Sequence, residues 1–138
     1  MKDEELELRP GLSAEVSLQV SQGNLATDVR ASSVPVLSTP AMIELMESAA
    51  LAAVEDHLPP DQTCVGTRLD IRHLAATPAG LKVRALAELI EIDGRRLVFR
   101  VEAFDEVERI GAGQHERMLV PVEAFLERAA AKGQTTTG

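Results

Sequence analysis

Glu47 is an acidic residue set among apolar neighbours on a predicted helix. The segment LSTPAMIELMESAALAAVEDH (37–57) has the spacing of an amphipathic helix, on which residues three and four positions apart lie side by side. The neighbours of Glu47 at these spacings are mostly apolar: Ile43, Glu44, Ala50 and Leu51. Glutamate is almost never fully buried without a partner, and desolvation favours its protonated form. A carboxylate in such a recess can act as a general base or as a nucleophile.

His73 is the natural partner for this carboxylate, because it is predicted to face inward from a strand. From Thr63 the sequence alternates with a period of two. One face of this strand then carries Val65, Thr67, Leu69, Ile71 and His73, and the other carries Gly66, Arg68, Asp70 and Arg72. A lone histidine on an apolar face is more often a hydrogen-bonded core residue. Pairing with Glu47 favours a functional role, since a neutral imidazole can hold or move a proton.

Thr39 offers a hydroxyl group at the predicted start of the same helix, beside backbone N–H groups suited to a carbonyl oxygen or an oxyanion. From spacing alone, N-capping is the stronger interpretation. Eight residues separate Thr39 from Glu47, which corresponds to about 12 Å of helical rise. The two side chains therefore need a substrate that bridges them, a bend at the helix entry, or a second subunit that supplies one of them.

Hydrophobic periodicity predicts the elements that position these side chains. A strand over 14–20 is followed by a loop over 21–38 and by a helix from Ser38 or Thr39 to about His57, where two prolines end it. Four strands follow from Thr63. Turns at 78–80, 93–94 and 105–109 separate these strands. A C-terminal helix over 122–132 is the last predicted element.

This order of elements predicts an α+β hotdog fold in a single domain over residues 1–138. A helix with one strongly apolar side needs a cover, and so does the dry face of an antiparallel sheet. The economical solution wraps the antiparallel sheet around the long central helix. Because an edge strand exposes unpaired backbone groups that favour pairing with a second copy, we expect a homodimer.

Composition and charge limit the partners. The chain has 138 residues and a formal net charge of −8, which fits one globular domain and opposes binding to nucleic acid or to an anionic membrane. Cys64 is the single cysteine, so no intrachain disulfide can form. No apolar run approaches the roughly 18 residues of a membrane span. We expect a cytoplasmic protein with neither nucleic-acid nor membrane partners.

Two familiar classes of hydrolytic site have no support in the sequence. His57, His73 and His115 are far apart, and no HExxH pair is present, so we expect no metal site. No G-x-S-x-G motif occurs, which disfavours a serine hydrolase of the α/β type.

Four segments resemble the fluoroacetyl-CoA thioesterase-like family of hotdog thioesterases: STPAMIELMESA, VGTRLDIRHLAATPAG, DGRRLVFRVEAFDE and IGAGQHER. The likeness runs from about residue 37 to residue 120, and the Thr, Glu and His positions keep the family's mutual spacing. The resemblance implies a homodimeric enzyme that hydrolyses a short or small acyl-CoA thioester to the free acid and coenzyme A. It implies no cofactor beyond the coenzyme A part of the substrate.

Carried over by position, the resemblance implies that Thr39, Glu47 and His73 form the catalytic set. Glu47 would activate water or attack the thioester carbonyl, His73 would protonate the departing thiolate, and Thr39 would hydrogen-bond the reacting group. Gly66 would let the backbone approach the acyl group, or would be a β-bulge glycine. Arg117 would support the pocket or its lid, or would make a surface ion pair.

The segment before the helix departs from the family's pattern. In the fluoroacetyl-CoA enzyme this segment forms an aromatic lid, whereas TDVRASSVPVLS (27–38) contains no aromatic residue. We therefore expect a small acyl-CoA other than fluoroacetyl-CoA. Val36, Met42 and Met46 are candidates to line the acyl pocket, although the same apolar stripe would serve equally well as core.

Two other functions compete with hydrolysis. A hotdog domain that binds an acyl-CoA without cleaving it, as a sensor or sequestering module, is the alternative function. An enoyl-CoA hydratase on the same fold would need an Asp/His pair on a differently placed element, which is not found. Outward-facing cations could meet the phosphates of coenzyme A or could form a solvated face: Arg68, Arg72, Lys82, Arg84, Arg95 and Arg96.

Overall fold

The computed structural model describes residues 7–135, which form five strands and two helices. The predicted domain over 1–138 therefore extends at both ends beyond the described residues. A 3-10 turn over Glu55–His57 follows the first helix. In chain order the elements are β1 (Ser13–Gln19), α1 (Thr39–Val54), β2 (Gln62–His73), β3 (Lys82–Asp93), β4 (Arg96–Phe104), β5 (Arg109–Pro121) and α2 (Val122–Thr135).

The strands form one antiparallel sheet in the order β1-β3-β4-β5-β2, so that β1 and β2 are its edges. Helix α1 packs mainly on β1 and β3 and touches β2 much less. The predicted α+β hotdog fold, with a sheet wrapped around a central helix, is confirmed. Because α1 lies toward the β1 side, the inner face near β2 and β5 is the less covered part of the sheet.

Small residues let α1 approach the sheet closely. The helix buries a stripe that includes Ala49, Ala50 and Ala53, and β3 meets it with Ala85 and Ala87. Larger side chains fill the space on both sides of this contact, and those that are fully buried include Leu37, Met42, Met46, Leu89, Leu97 and Phe99. Close packing of this kind holds the backbone of α1 in one position over the sheet.

Ser38, and not Thr39, caps α1. The side-chain oxygen of Ser38 accepts a hydrogen bond from the backbone N–H of Ala41 at 3.1 Å, and Pro40 lies in the first turn, where its missing N–H costs nothing. The helix then continues without a break to Val54. The hydroxyl group of Thr39 is therefore free for another contact.

The strict alternation predicted for β2 is wrong at its centre. Gly66 lies opposite Arg117, but Arg68 lies opposite Glu116, so Thr67 is the extra residue of a β-bulge. A bulge moves the residues before it to the other face. The face that carries His73 therefore carries Gly66, where the simple period of two had placed Val65 and Thr67.

Replacing either of two inward-facing glycines of β5 by alanine should destabilise the fold, but by different amounts. A Cβ atom at Gly113 would clash with the backbone carbonyl of Asp70, whereas one at Gly111 would meet the flexible thioether of Met42 at 2.5 Å. We expect Gly113→Ala to lower the free energy of unfolding by about 3 kcal/mol or more, and Gly111→Ala by about 1 kcal/mol. Urea denaturation of both variants tests this, and equal stabilities would contradict the tight approach of β2 to β5.

Candidate active site

Thr39 and His73 are in direct contact. The Oγ1 atom of Thr39 lies 2.8 Å from Nδ1 of His73, which joins the start of α1 to the end of β2. The other ring nitrogen of His73, Nε2, is buried and has no hydrogen-bond partner among the described residues. Burial lowers the pKa of His73 below 6.5, and a weaker interaction with the backbone of Ala75 opposes that effect. This contact, the Thr39–His73 pair, thus offers a largely neutral imidazole with one unused nitrogen.

A pocket of about 420 Å³ lies next to the Thr39–His73 pair. Its walls are small or aliphatic residues of the segments 26–37 and 74–76, and none of the lining residues is aromatic. Val36 lines this pocket. Met42 and Met46 do not line it, because they are completely buried and pack over Gly111. These two methionines occupy the core, which was the alternative left open for them.

The segment that forms the outer wall of the pocket is attached at its base. The backbone N–H of Ala26 donates to the carbonyl of Val36 at 2.7 Å, and the N–H of Ser38 donates to the carbonyl of Asn24 at 2.7 Å. The N–H of Leu37 donates to the carbonyl of Thr77 at 2.8 Å. The apolar wall is therefore held between α1 and the segment that follows β2.

Glu47 lies two turns along α1 and faces Gly66 on the bulge of β2. Its side chain is 39% exposed, and its Oε2 atom lies 3.9 Å from a terminal nitrogen, Nη1, of Arg117. A Cβ atom at Gly66 would lie 2.8 Å from this carboxylate oxygen. The carboxylate is thus half-buried beside a cation, and a larger residue at position 66 would displace it from this place.

Arg117 is buried and anchored by three hydrogen bonds. Its Nε donates to Sγ of Cys64 at 3.1 Å, its Nη2 donates to the carbonyl of Cys64 at 3.0 Å, and its Nη1 lies 3.1 Å from Nε2 of His115. A guanidinium group can only donate. The alternative that Arg117 makes a surface ion pair is wrong, because its side chain is only 9% exposed.

His115 is neutral in a single tautomer. Its Nδ1 lies 2.9 Å from the carbonyl of Arg68, which can only accept, so this nitrogen carries the proton. Its Nε2 then accepts from Arg117. Burial lowers the pKa of His115 below 6.5, and the positive charge of Arg117 adds to this, against opposing effects of the Arg68 carbonyl, Glu47 and Glu116. Sequence reasoning gave His115 no role, although its alternation with Arg117 placed both on one face.

The structure thus contains two groups of side chains. The Thr39–His73 pair lies at the start of α1, and the group that we call the Glu47 cluster consists of Glu47, Gly66, His115 and Arg117. No hydrogen bond or ion pair links Glu47 to His73 among residues 7–135. The contact predicted between these two residues is therefore absent within one subunit.

The outward cations divide into paired and unpaired residues. Arg68 pairs with Glu116 at 3.2 Å and Arg84 pairs with Glu15 at 3.3 Å, while Arg96 meets Glu91, Asp93 and Glu116. The cations of this group that make no ion pair within the described part of the chain are Arg72, Lys82 and Arg95. Among residues 7–135 there is also no group of three or more His, Cys, Asp or Glu side chains placed to hold a metal ion. None of the described helices has the length and apolarity needed to cross a bilayer.

A family model, a curated relative and a solved structure agree on one family, and a further solved structure shares the fold. Residues 20–123 match the family model described as fluoroacetyl-CoA-specific thioesterase (FlK). A fluoroacetyl-CoA thioesterase from Streptantibioticus cattleyicolor is 44% identical over 90 residues, which span 65% of this chain and 65% of that relative. The solved structure of the fluoroacetyl-CoA thioesterase FlK superimposes with a TM-score of 0.84 at 34% identity, covering 91% of this chain and 97% of that one. A hot-dog-like protein from Thermanaerovibrio acidaminovorans superimposes with a TM-score of 0.82 at 25% identity, covering 96% and 97%.

The two lowered histidine pKa values make stability depend on pH. When the pH falls through 6.5, the imidazoles of the unfolded chain bind protons while His73 and His115 in the folded chain stay neutral. The free energy of unfolding should therefore be greatest above that pH and should fall between about pH 7 and pH 5. Chemical denaturation across this range measures the slope. His115→Gln, which removes one of the two groups, should flatten it, and a stability that rose toward pH 5 would contradict both assignments.

Proposed function

The chain belongs to the fluoroacetyl-CoA-specific thioesterase family, a family of thioester hydrolases, and from this we propose that it hydrolyses a small acyl-CoA to the free acid and coenzyme A. The observation that carries the proposal is the Thr39–His73 pair beside an apolar pocket, with Nε2 of His73 buried and given no hydrogen bond by any residue from 7 to 135. A buried polar atom without a partner is costly in an isolated protein. Such an atom is available to a bound substrate.

In the proposed reaction each polar group has one task. Thr39 hydrogen-bonds the reacting group at the start of α1. The neutral imidazole of His73 accepts the proton that is removed from the attacking water and passes it on to the departing thiolate, so that the ring ends as neutral as it began. Glu47 removes a proton from the attacking water, or attacks the carbonyl itself and is released by water in a second step. Water is the only co-reactant, so the proposal includes no metal and no cofactor apart from the coenzyme A of the substrate.

We propose that Glu47 reaches the Thr39–His73 pair of a second copy of the chain. Within one copy, α1 is continuous and places Thr39 and Glu47 about 12 Å apart along its axis. Strand β2 is an edge of the sheet, and next to it Leu69 and Leu74 are 45% and 48% exposed. Antiparallel pairing of β2 with its copy, centred between residues 69 and 70, would set Gly66 opposite His73 of the other copy. The carboxylate of Glu47 lies above Gly66, so this pairing would bring Glu47 of each copy to His73 of the other. The homodimer would then contain two complete sites.

The pocket supports a small aliphatic acyl group. Its lining residues beside Thr39 and His73 are valine, leucine, alanine and serine, with no aromatic side chain to close over a two-carbon fluorinated group. We therefore propose a short acyl-CoA other than fluoroacetyl-CoA as the substrate. A substrate of this kind and the single Cys64, which forms no disulfide, both favour a cytoplasmic location.

Replacement of Glu47 by Gln tests the proposed base. A panel of short acyl-CoAs, with free thiol as the readout, should give measurable hydrolysis with the wild-type protein and a kcat about 10²–10⁴-fold lower for Glu47→Gln. Glu44→Gln is the matched control, because Glu44 lies on the same helix in an exposed position and should keep full activity. Undiminished hydrolysis by Glu47→Gln would remove Glu47 from the mechanism. Tight binding of acyl-CoAs without any cleavage by the wild type would support the alternative of a sensor or sequestering protein.

Mixed dimers test the shared site. Glu47→Gln and His73→Asn are each expected to be inactive, but after they are refolded together half of the dimers are mixed and each mixed dimer has one intact site, giving about a quarter of wild-type activity. A mixture of His73→Asn with Thr39→Val is the control, because these two side chains belong to the same half-site and no intact site can form. Absence of recovery with the first mixture would show that each site lies within one subunit and is bridged by the substrate.

A further inference from the structure

We propose that His115 is a positioning residue that fixes the direction of the Glu47 carboxylate by holding the guanidinium group of Arg117. This inference rests on the proposed function, since it concerns the group that acts as base or nucleophile. His115 itself is 1% exposed and belongs to the sheet, so it is placed to act through Arg117 and not on the substrate.

The hydrogen bonds of Arg117 show why His115 matters. Two of the three guanidinium nitrogens, Nε and Nη2, are directed to Cys64. The third, Nη1, lies between two acceptors: Nε2 of His115 at 3.1 Å and Oε2 of Glu47 at 3.9 Å. Because a planar guanidinium group holds its N–H bonds in a fixed fork, the bond to His115 sets where the remaining hydrogen of Nη1 points. At 3.9 Å, Oε2 of Glu47 lies beyond hydrogen-bond distance and pairs with Nη1 through charge, so the place where this nitrogen is held determines where the carboxylate is drawn.

His115 can do this only in its neutral form. Its proton is on Nδ1, where the carbonyl of Arg68 accepts it, which leaves Nε2 as the acceptor that Arg117 needs. A proton on Nε2 would place a hydrogen and a positive charge against the guanidinium group. The surroundings that act on the ring are the Arg68 carbonyl on β2, Arg117 and Glu116 on β5, Glu47 on α1, and the ring of Phe99 on β4 at 6.2 Å between centroids.

Gly66 completes the arrangement. A Cβ atom at this position would lie 2.8 Å from Oε2 of Glu47 and 3.1 Å from Cε1 of His115. The carboxylate and the imidazole therefore border the same small space above the bulge. Helix α1 and strands β2 and β5 each contribute to this space, so a shift of the Arg117 side chain would change the direction of the carboxylate without unfolding the sheet.

Two substitutions of His115 separate positioning from a purely structural role. The amide nitrogen of His115→Asn lies near the position of Nδ1 and can still donate to the Arg68 carbonyl, but it offers Arg117 no acceptor. The amide oxygen of His115→Gln lies near the position of Nε2 and can still accept from Arg117, but the hydrogen bond to the Arg68 carbonyl on β2 is lost. We expect kcat to fall about 10²-fold in His115→Asn, with KM little changed, and to fall much less in His115→Gln.

The same variants have a readout that does not need turnover. The side-chain N–H signals of Arg117 in ¹H–¹⁵N spectra should be well resolved and slowly exchanging in the wild type and in His115→Gln, and should broaden in His115→Asn. If the wild type cleaved no acyl-CoA, the proposed function would fail, but these spectra would still test the positioning role. Equal Arg117 spectra in both variants would overturn it.

A double-mutant cycle protects the test against general damage to the fold. In an Arg117→Lys background, which keeps the charge and loses the fork, His115→Asn should cause no further loss of kcat, because its effect passes through Arg117. Equal additional loss in both backgrounds would overturn the proposal, and so would a pattern in which His115→Gln is the more damaging variant. Thermal unfolding of each variant shows whether a loss of activity is a loss of folded protein.

Discussion

The site depends on a carboxylate that is partly removed from water and yet must stay charged. A buried charge is tolerated only with a partner and with enough polar contact to replace water. The Glu47 side chain meets both conditions. It stays 39% exposed and so keeps contact with water, and the buried guanidinium group of Arg117 lies 3.9 Å away as its partner. Removing Arg117 would leave the half-buried carboxylate without its cation. Gly66, Cys64 and His115 are therefore constrained by the needs of one acidic group.

Several features of this arrangement could be read from the sequence. The long helix, the inward direction of His73 and the hairpin at 93–94 follow from periodicity and turn residues, and the structure has all three. A bulge was one of two interpretations that the sequence left open for Gly66, and only the register with β5 decides for it, because an extra residue in a strand leaves the local composition unchanged. The predicted face of Gly66 was wrong for this reason.

Other features needed coordinates because two residues competed for one task. Ser38 and Thr39 are both good N-cap residues, and only the hydrogen bond from Ala41 decides that Ser38 is the cap. In the same way, an apolar stripe on a helix does not distinguish a pocket wall from a core, and Met42 and Met46 belong to the core. His115 carried no sequence signal beyond its alternation with Arg117, since its role depends on contacts with Arg68 and Arg117 that link two strands.

We propose that Glu47 of one subunit meets the substrate opposite Thr39 and His73 of another. The most direct measurement is a crystal structure with a non-hydrolysable thioether analogue of a short acyl-CoA. We expect a Glu47 carboxylate oxygen within about 3.5 Å of the carbon that stands for the thioester carbonyl, or one water molecule away, with the Thr39 hydroxyl of the other subunit on the same group. An analogue bound next to His73 with every Glu47 carboxylate directed into bulk solvent would contradict it.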